Sequence, residues 1–556
     1  MIRRVRTMTD GVSMPIFLVM VVIFIAATVG ISIYGYRHTK NNQDYLLGRN
    51  KSNPVIIALS YGATFLSASA VIGFGGQAAL HGMSMIWLCF LNMFIGIFVA
   101  FAIFGKRTRR LGRKLKASTF ADLLGKIYHS KGIRAFTAII IVVMMPIYCA
   151  AVLKGGVNSL AVITGLTEYY DLILIGLALI VGIYVVYGGI IAVMYNDALQ
   201  AIIMFVGMVV ILVTTYVVLG GITEATNGLT SLWDVKIGDA TGTLTGFNGW
   251  TSFSSFGTDE WMLLVTTFLL GVGIGALTQP QLVVRYMSAK DDKTLNKSMI
   301  IGAVFILVIV GAAYTCGALS NVFFYNEFGE IAFEHVTLGT DFIIPTFITE
   351  LFADISFGDV FVSLFLLSLL CASISTISAL MHTIGAAGGY DLFSLIKNRK
   401  TNIFVDSQSI RVNRIVTALI MVLVIVYCYL MPSDIIAKAT SLFMGMTAAA
   451  LLPAYAHGLY SKRPRKDAAI VSIAVGTAVY LFWALFICKS TSVFMPICEW
   501  ITGSQVLFTG TIMYVDALVV ALPASIIAMA LVLLIKRNKV SEGEEETVEA
   551  AEPAAE

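Results

Sequence analysis

Residues 371–379 read Cys-Ala-Ser-Ile-Ser-Thr-Ile-Ser-Ala. Ala372, Ser375 and Ser378 recur every third residue and share one helix face, with Thr376 beside it. Neutral hydroxyls combined with free carbonyls suit a hard monovalent cation that must also leave, by the oxygen-ligand logic of Ca²⁺ and Mg²⁺. The same hydroxyls equally suit hydrogen bonding between membrane helices. Asp197 lies in the run Gly188-Gly189-Ile190 to Gln200, where an intramembrane carboxylate points to function and a helix cap is the plainer reading. Lys154 interrupts the apolar run Ala150 to Gly156. A lysine at a helix centre costs roughly 3 kcal/mol on insertion scales, so it needs an anionic partner, carbonyls or water. The partner is either a solute carboxylate or a protein carboxylate such as Asp197, with snorkelling as the plainer reading. Ser67, Ser69, Gln77 and Gln279 complete the candidate solute contacts, and His81 reads as interfacial. No nucleotide-binding loop, HExxH or GxSxG elbow stands out, so ATP-driven pumping and hydrolysis have no support.

The elements that must position these residues are interrupted helices. A membrane helix leaves carbonyls free only where they line a cavity, and there transporters place ions. One interruption is expected at Tyr61 to Ala70, followed by Gly73, Gly75 and Gly76. A second is expected at Gly271, Gly273 and Gly275, followed by Thr278-Gln279-Pro280-Gln281. Close packing through small residues explains either segment alone. Their positions, in the second and seventh apolar runs, match two five-helix repeats that each open with a broken helix.

The chain has 556 residues, 58% hydrophobic and 13% charged. An average soluble domain is nearer a quarter charged, so the composition reads as membrane class. Apolar runs near the ~20 residues that span a bilayer fall at 13–35, 54–80, 83–105, 133–164, 170–188, 190–219, 260–284, 299–325, 357–387, 412–431, 436–460, 468–488 and 511–535. The run 133–164 exceeds one straight span, so part of it is tilted or outside the core. The first run is span-length and lacks a small-residue cleavage site, unlike a signal peptide. With the loop after the first span inside, inner segments hold 30 basic residues and outer segments 5. That bias puts the N-terminus outside and the C-terminus in the cytoplasm, against the dissent of Arg3, Arg4 and Arg6. The seven cysteines show neither metal-site spacing nor a disulfide framework.

The domain organisation expected is a leading transmembrane helix in 1–36, a first five-helix repeat in 54–219, a second in 260–460, two trailing transmembrane helices in 468–535, and a disordered acidic tail in 540–556. The segment 221–258 reads as a long Gly/Thr/Ser-rich outer loop, and a short amphipathic helix is expected near 342–352. The tail is Glu/Ala-rich without apolar period.

Over about residues 40 to 485 the chain resembles the sodium:solute symporter family of proline, pantothenate, monocarboxylate, sialic acid and sugar cotransporters. The resemblance rests on Tyr187-Gly188-Gly189 running into Asp197-Ala198-Leu199-Gln200, Gly62-Ala63 with Ser67, Ala372 with Ser375-Thr376, Gln281 to Tyr286, and Phe120-Ala121-Asp122. It implies an all-α polytopic membrane protein of about 13 transmembrane helices with a leucine-transporter-like (LeuT-like) 5+5 inverted-repeat core. It implies a main Na⁺ site at Ala63, Leu66, Ala372, Ser375 and Thr376. Some members have a second Na⁺ site, matched here by Asp197, Ser375 and Ser378. Ala379 replaces a hydroxyl those members carry, so one Na⁺ is expected. Sugar-transporting relatives place acidic or amide side chains where this chain has Ser69 and Ala70, and the proline branch has an aromatic there.

The function expected is Na⁺-coupled symport of a small organic carboxylate or amino acid by alternating access, in the cell membrane. Na⁺ is the coupling ion, no cofactor is expected, and neither nucleic acid nor an obligate protein partner is indicated. H⁺ coupling or exchange, with Lys154 or Asp197 titrating, is the alternative within transport. A membrane sensor with a symporter-like input module and a channel are the alternatives outside it.

Overall fold

A chain segment in hydrocarbon must satisfy its own backbone hydrogen bonds, and an apolar helix does so internally. The computed structural model describes residues 12–48, 52–235, 244–397, 410–431, 436–489 and 495–535. Among these, eleven helices are long and apolar enough to cross a membrane. The acidic tail and the Arg3/Arg4/Arg6 cluster lie outside the described residues.

Two of the eleven runs hold a reversal. Tyr170–Val218 contains 49 residues, a length of about 74 Å at 1.5 Å per residue against a hydrocarbon core of ~30 Å. Gly189 breaks it with φ 59° and ψ −158°. Ser32 records the fold-back, because its hydroxyl accepts from Asn196 Nδ2 at 3.2 Å while its carbonyl lies against Gly188. Only glycine fits position 189. Its φ is left-handed, and a Cβ would stand 2.7 Å from the Tyr45 ring. Gly82, with φ 63°, makes the second reversal inside the continuous stretch Ser69–Lys114. With Pro54–Phe65 and Ser69–His81 forming one interrupted pass, the passes among the described residues number thirteen, as the apolar runs predict.

Burial separates centre from periphery. The most apolar windows of Gly358–Lys397 and Ile436–Tyr460 are 83% and 89% buried by protein, against 17% for Met14–His38 and 22% for Ala517–Ile535. The leading and last helices therefore present most of their surface to lipid, and the hydroxyl-bearing helix lies at the centre. Lys131–Ile163, at 33 residues with Pro146 inside it, outruns a straight span as expected.

Two outer segments differ from their sequence reading. Within the expected loop 221–258, Ile222–Ser231 is a helix whose Ala225 and Leu229, one turn apart, pack with Trp250, Leu319 and Val322. Tertiary apolar contact supplies what the polar sequence lacked. Ile343–Leu351 forms near the expected 342–352, but eight of its nine residues are buried. It is an interior element rather than an amphipathic surface helix. Two basic residues assigned to inner loops, Arg134 and Arg285, are buried at 2% and 0% exposure. Each has an acidic partner instead of water.

Candidate ion and solute site

The first interruption has a local cause. Asn53 caps the helix Pro54–Phe65 by accepting from Val55 N at 2.9 Å, with Pro54 at the first helical position. At Leu66 the backbone leaves the helical region, with φ −92° and ψ 75°. Ser67 then caps the resumed helix: its hydroxyl accepts from Ser69 N at 3.1 Å and its carbonyl from Ala70 N at 2.9 Å. The nearby glycines do a different job. A Cβ at Gly62 would strike Phe305, and one at Gly75 would strike Ile344. These are close-packing positions, so both readings of the segment hold, at different residues. The second interruption falls at Gln279, with φ −67° and ψ 113°. Pro280 disfavours a helical conformation in the residue before it and starts the next helix.

The break brings carbonyls to the hydroxyl face. Ser375 donates to the Ala63 carbonyl at 3.0 Å and to the Ala372 carbonyl at 3.2 Å. Thr376 donates to the Thr64 carbonyl at 3.2 Å, one residue beyond the expected Ala63. Leu66 ends the same helix turn. Ala63, Leu66, Ala372, Ser375 and Thr376 are all buried. A hydroxyl that donates to a carbonyl here has lone pairs to offer a cation once its hydrogen turns aside, and the carbonyl it releases becomes a second ligand.

Asp197 sits behind this cluster in a buried ion pair. Arg285 Nη2 pairs with its Oδ2 at 3.0 Å, and both side chains have zero exposure. Ser60 and Thr64 donate to the same oxygen at 2.7 and 3.2 Å. Arg285 also donates to Ser60 at 3.2 Å, to Thr64 at 2.7 Å and to the Gln281 carbonyl. Oδ1 accepts from the Ser378 hydroxyl at 3.4 Å. The cation facing Asp197 is thus a guanidinium, which satisfies the demand of an intramembrane carboxylate for a partner. Thr64 belongs to both clusters, through its carbonyl to Thr376 and through its hydroxyl to Asp197.

On the other side of the break, Tyr148 donates to Ser67 at 3.1 Å and Thr440 donates to Ser69 at 2.8 Å. Phe443 stacks on Tyr148, with ring centroids 5.7 Å apart. Three helices thereby converge on a neutral, hydroxyl-rich cluster. Gln77 lies buried two turns further along the resumed helix. Gln279 spends its amide within the second break, donating to the Gly275 carbonyl at 3.1 Å and to Thr447 at 2.8 Å while accepting from Gln281.

Lys154 is elsewhere. It follows Tyr148 by six residues, about 240° around the helix. Its ammonium donates to the Met431 carbonyl, next to Cys428. Of the candidate partners, Asp197 is not the one it meets, because Arg285 occupies that carboxylate. His81 is not a simple interfacial residue either. It pairs with buried Glu260 at 3.2 Å. Tyr148, Thr440, Ser60 and Thr64 escaped the sequence reading, since lone hydroxyls in apolar runs carry no signal. Arg285 escaped it too, because it stands at the edge of the charged segment 285–297 and reads as part of that loop.

A profile of the Sodium:solute symporter family matches residues 45–476. The Sodium/pantothenate symporter of Haemophilus influenzae is 25% identical over 477 residues, covering 85% of this chain and 90% of that protein. The osmoregulated proline transporter OpuE of Bacillus subtilis is 25% identical over 480 residues, covering 85% and 89%. A Na⁺-coupled sialic acid symporter, solved substrate-bound and outward-open, superposes with TM-score 0.68 at 19% identity, over 94% of this chain and 97% of that one. Mhp1, a nucleobase-cation-symport-1 family transporter, superposes with TM-score 0.50 at 14% identity, over 92% and 100%.

Proposed function

Because this chain belongs to the sodium:solute symporter family, we propose that its Na⁺ enters at Ala63, Leu66, Ala372, Ser375 and Thr376 and that its solute binds beside them at Ser67, Ser69, Tyr148 and Thr440. The protein is a multi-pass membrane transporter that couples a small organic solute to Na⁺, and it is not an enzyme. The observation that carries the site assignment is the pair of hydroxyl-to-carbonyl contacts, Ser375 to Ala63 and Thr376 to Thr64, across the broken helix.

Na⁺ pulls the carbonyl end of Pro54–Phe65 onto the hydroxyl face of Gly358–Ala386. Ser67 comes directly after it in the chain, so fixing the ion fixes the solute contacts. Na⁺ must favour the solute-competent state, since an ion binding every state equally shifts nothing. The bundle then rocks and exposes both sites inward. The basic bias, with Arg134 and Arg285 set aside, still places the N-terminus outside and the C-terminus in the cytoplasm.

The solute is a small organic carboxylate or amino acid. Pantothenate, proline and sialic acid, in the names of the similar proteins, each carry one carboxylate. Ser67, Ser69, Tyr148 and Thr440 bring no fixed charge, so the anion is met by Na⁺, by hydroxyls and by the positive end of the helix resuming at Ser69. A solute panel assayed for uptake with and without Na⁺ tests this. Uptake driven equally by a pH gradient in Na⁺-free buffer would overturn the assignment.

A further inference from the structure

The leading helix and the fourth core pass leave a groove between them that transport does not use. It has a volume of about 400 Å³, within the range of small-molecule sites. Val29, Ile33 and Tyr36 from one helix and Ile183 and Tyr187 from the other form its outer walls, each about half exposed. These residues belong to apolar membrane-spanning helices, so the medium at the mouth is hydrocarbon. The groove is therefore open to the bilayer along its length.

One end is built differently. Arg414 lies 5.9 Å from the Tyr36 ring centroid and 5.5 Å from the Tyr187 ring centroid, beside the two tyrosines that line one end of the groove. It is held there by donating Nε to the Val186 carbonyl at 2.9 Å and Nη2 to the Tyr187 carbonyl at 3.0 Å. Two of the five guanidinium N–H groups serve this clamp, which leaves three, on the two terminal nitrogens, for another acceptor. Among the described residues, no carboxylate pairs with Arg414. Arg37 and Lys40, exposed at the same end of the leading helix, add positive charge. An apolar trough on membrane-spanning helices, with two tyrosines at one end and a fixed cation beside them, has the polarity of one phospholipid molecule.

We propose that this groove binds an anionic phospholipid, with an acyl chain along Val29, Ile33 and Ile183 and the phosphate at Arg414. Arg414 holds the carbonyls next to Gly188-Gly189, the reversal that leads into Asp197. The lipid thus sits against the reversal between the fourth and fifth core passes, where the leading helix packs on it.

The test is native mass spectrometry of the full-length protein, purified in detergent and incubated with phosphatidylglycerol, phosphatidylcholine or glycerol phosphate. The wild type retains phosphatidylglycerol over phosphatidylcholine by about fivefold, the factor carried by one basic residue at an anionic surface, and does not retain glycerol phosphate. Arg414→Gln abolishes the preference and Arg414→Lys keeps part of it. Ile183→Trp, which fills the groove without touching the charge, lowers retention of both lipids. Na⁺-induced thermal stabilisation, measured on each variant, shows that the fold is intact. Equal retention of both lipids by the wild type, or unchanged retention in both Arg414→Gln and Ile183→Trp, overturns the proposal. A doubled mass lost in Ile183→Trp also overturns it, since the face would then join two copies of the chain.

Discussion

Arg285 and Asp197 form an ion pair 3.0 Å long at zero exposure, in the midst of a membrane protein. The pair places a fixed cation beside the carboxylate that matches a second Na⁺ site of some family members. Breaking such a pair strands one charge, which costs about 3–5 kcal/mol, whereas removing both charges together costs far less. Arg285→Gln is therefore expected to lower the thermal unfolding temperature in detergent sharply, and the double variant Arg285→Gln with Asp197→Asn to recover most of the loss. A single variant as stable as the wild type would show that the pair carries no such demand.

The Ser375 and Thr376 hydroxyls reach the carbonyls of the broken helix. Ser375→Ala or Thr376→Ala removes one proposed ion ligand and leaves the proposed solute contacts in place. Each is expected to raise the Na⁺ concentration for half-maximal uptake about tenfold, the effect of losing one charge-assisted contact of ~1.4 kcal/mol. Maximal uptake at saturating Na⁺ falls less. Wild-type Na⁺ dependence in both variants would move the ion site elsewhere.

Tyr148 and Thr440 meet Ser67 and Ser69 but not the carbonyls of the ion cluster. Tyr148→Phe and Thr440→Ala are expected to raise the KM for solute several-fold while leaving Na⁺ binding to the solute-free protein, read as Na⁺-induced thermal stabilisation, unchanged. Solute titrations at fixed, saturating Na⁺ check this. An altered Na⁺ affinity with normal solute KM would reverse the assignment of the two sides of the break.

Lys154 donates to the Met431 carbonyl and stands on another face of its helix from Tyr148. Lys154→Ala is expected to leave the solute KM within about twofold of wild type, because a group outside the pocket contributes no binding energy to it. A rise of KM confined to anionic solutes would restore Lys154 as their counter-charge.

Gly189 cannot accept a side chain. Its φ of 59° and a Cβ only 2.7 Å from Tyr45 oppose substitution together. Gly189→Ala is expected to cost at least about 1–2 kcal/mol from backbone strain alone, with repacking of Tyr45 in addition. Reduced folded yield and a lower unfolding temperature report it. A fully stable alanine variant would mean that the reversal at this position is not fixed.

The sequence by itself determined the membrane class, the thirteen passes and the places where two helices break. Those features come from local quantities: the length of apolar runs, the demand of backbone groups for partners in lipid, and the constraint proline puts on Gln279. The face shared by Ala372, Ser375 and Ser378 was equally legible, because helical periodicity is a property of the chain alone. Partnership was not. Asp197 had two candidate cations, Lys154 and a bound ion, and the structure gave it Arg285, 88 residues further along the chain. Lys154 read as a costly charge from its neighbours, yet a carbonyl at the end of a distant helix satisfies it. Which hydroxyl meets which carbonyl depends on how the helices cross, and that is set by packing contacts far apart in sequence. Only the tertiary structure therefore decided that Thr64 belongs to both the ion cluster and the buried ion pair.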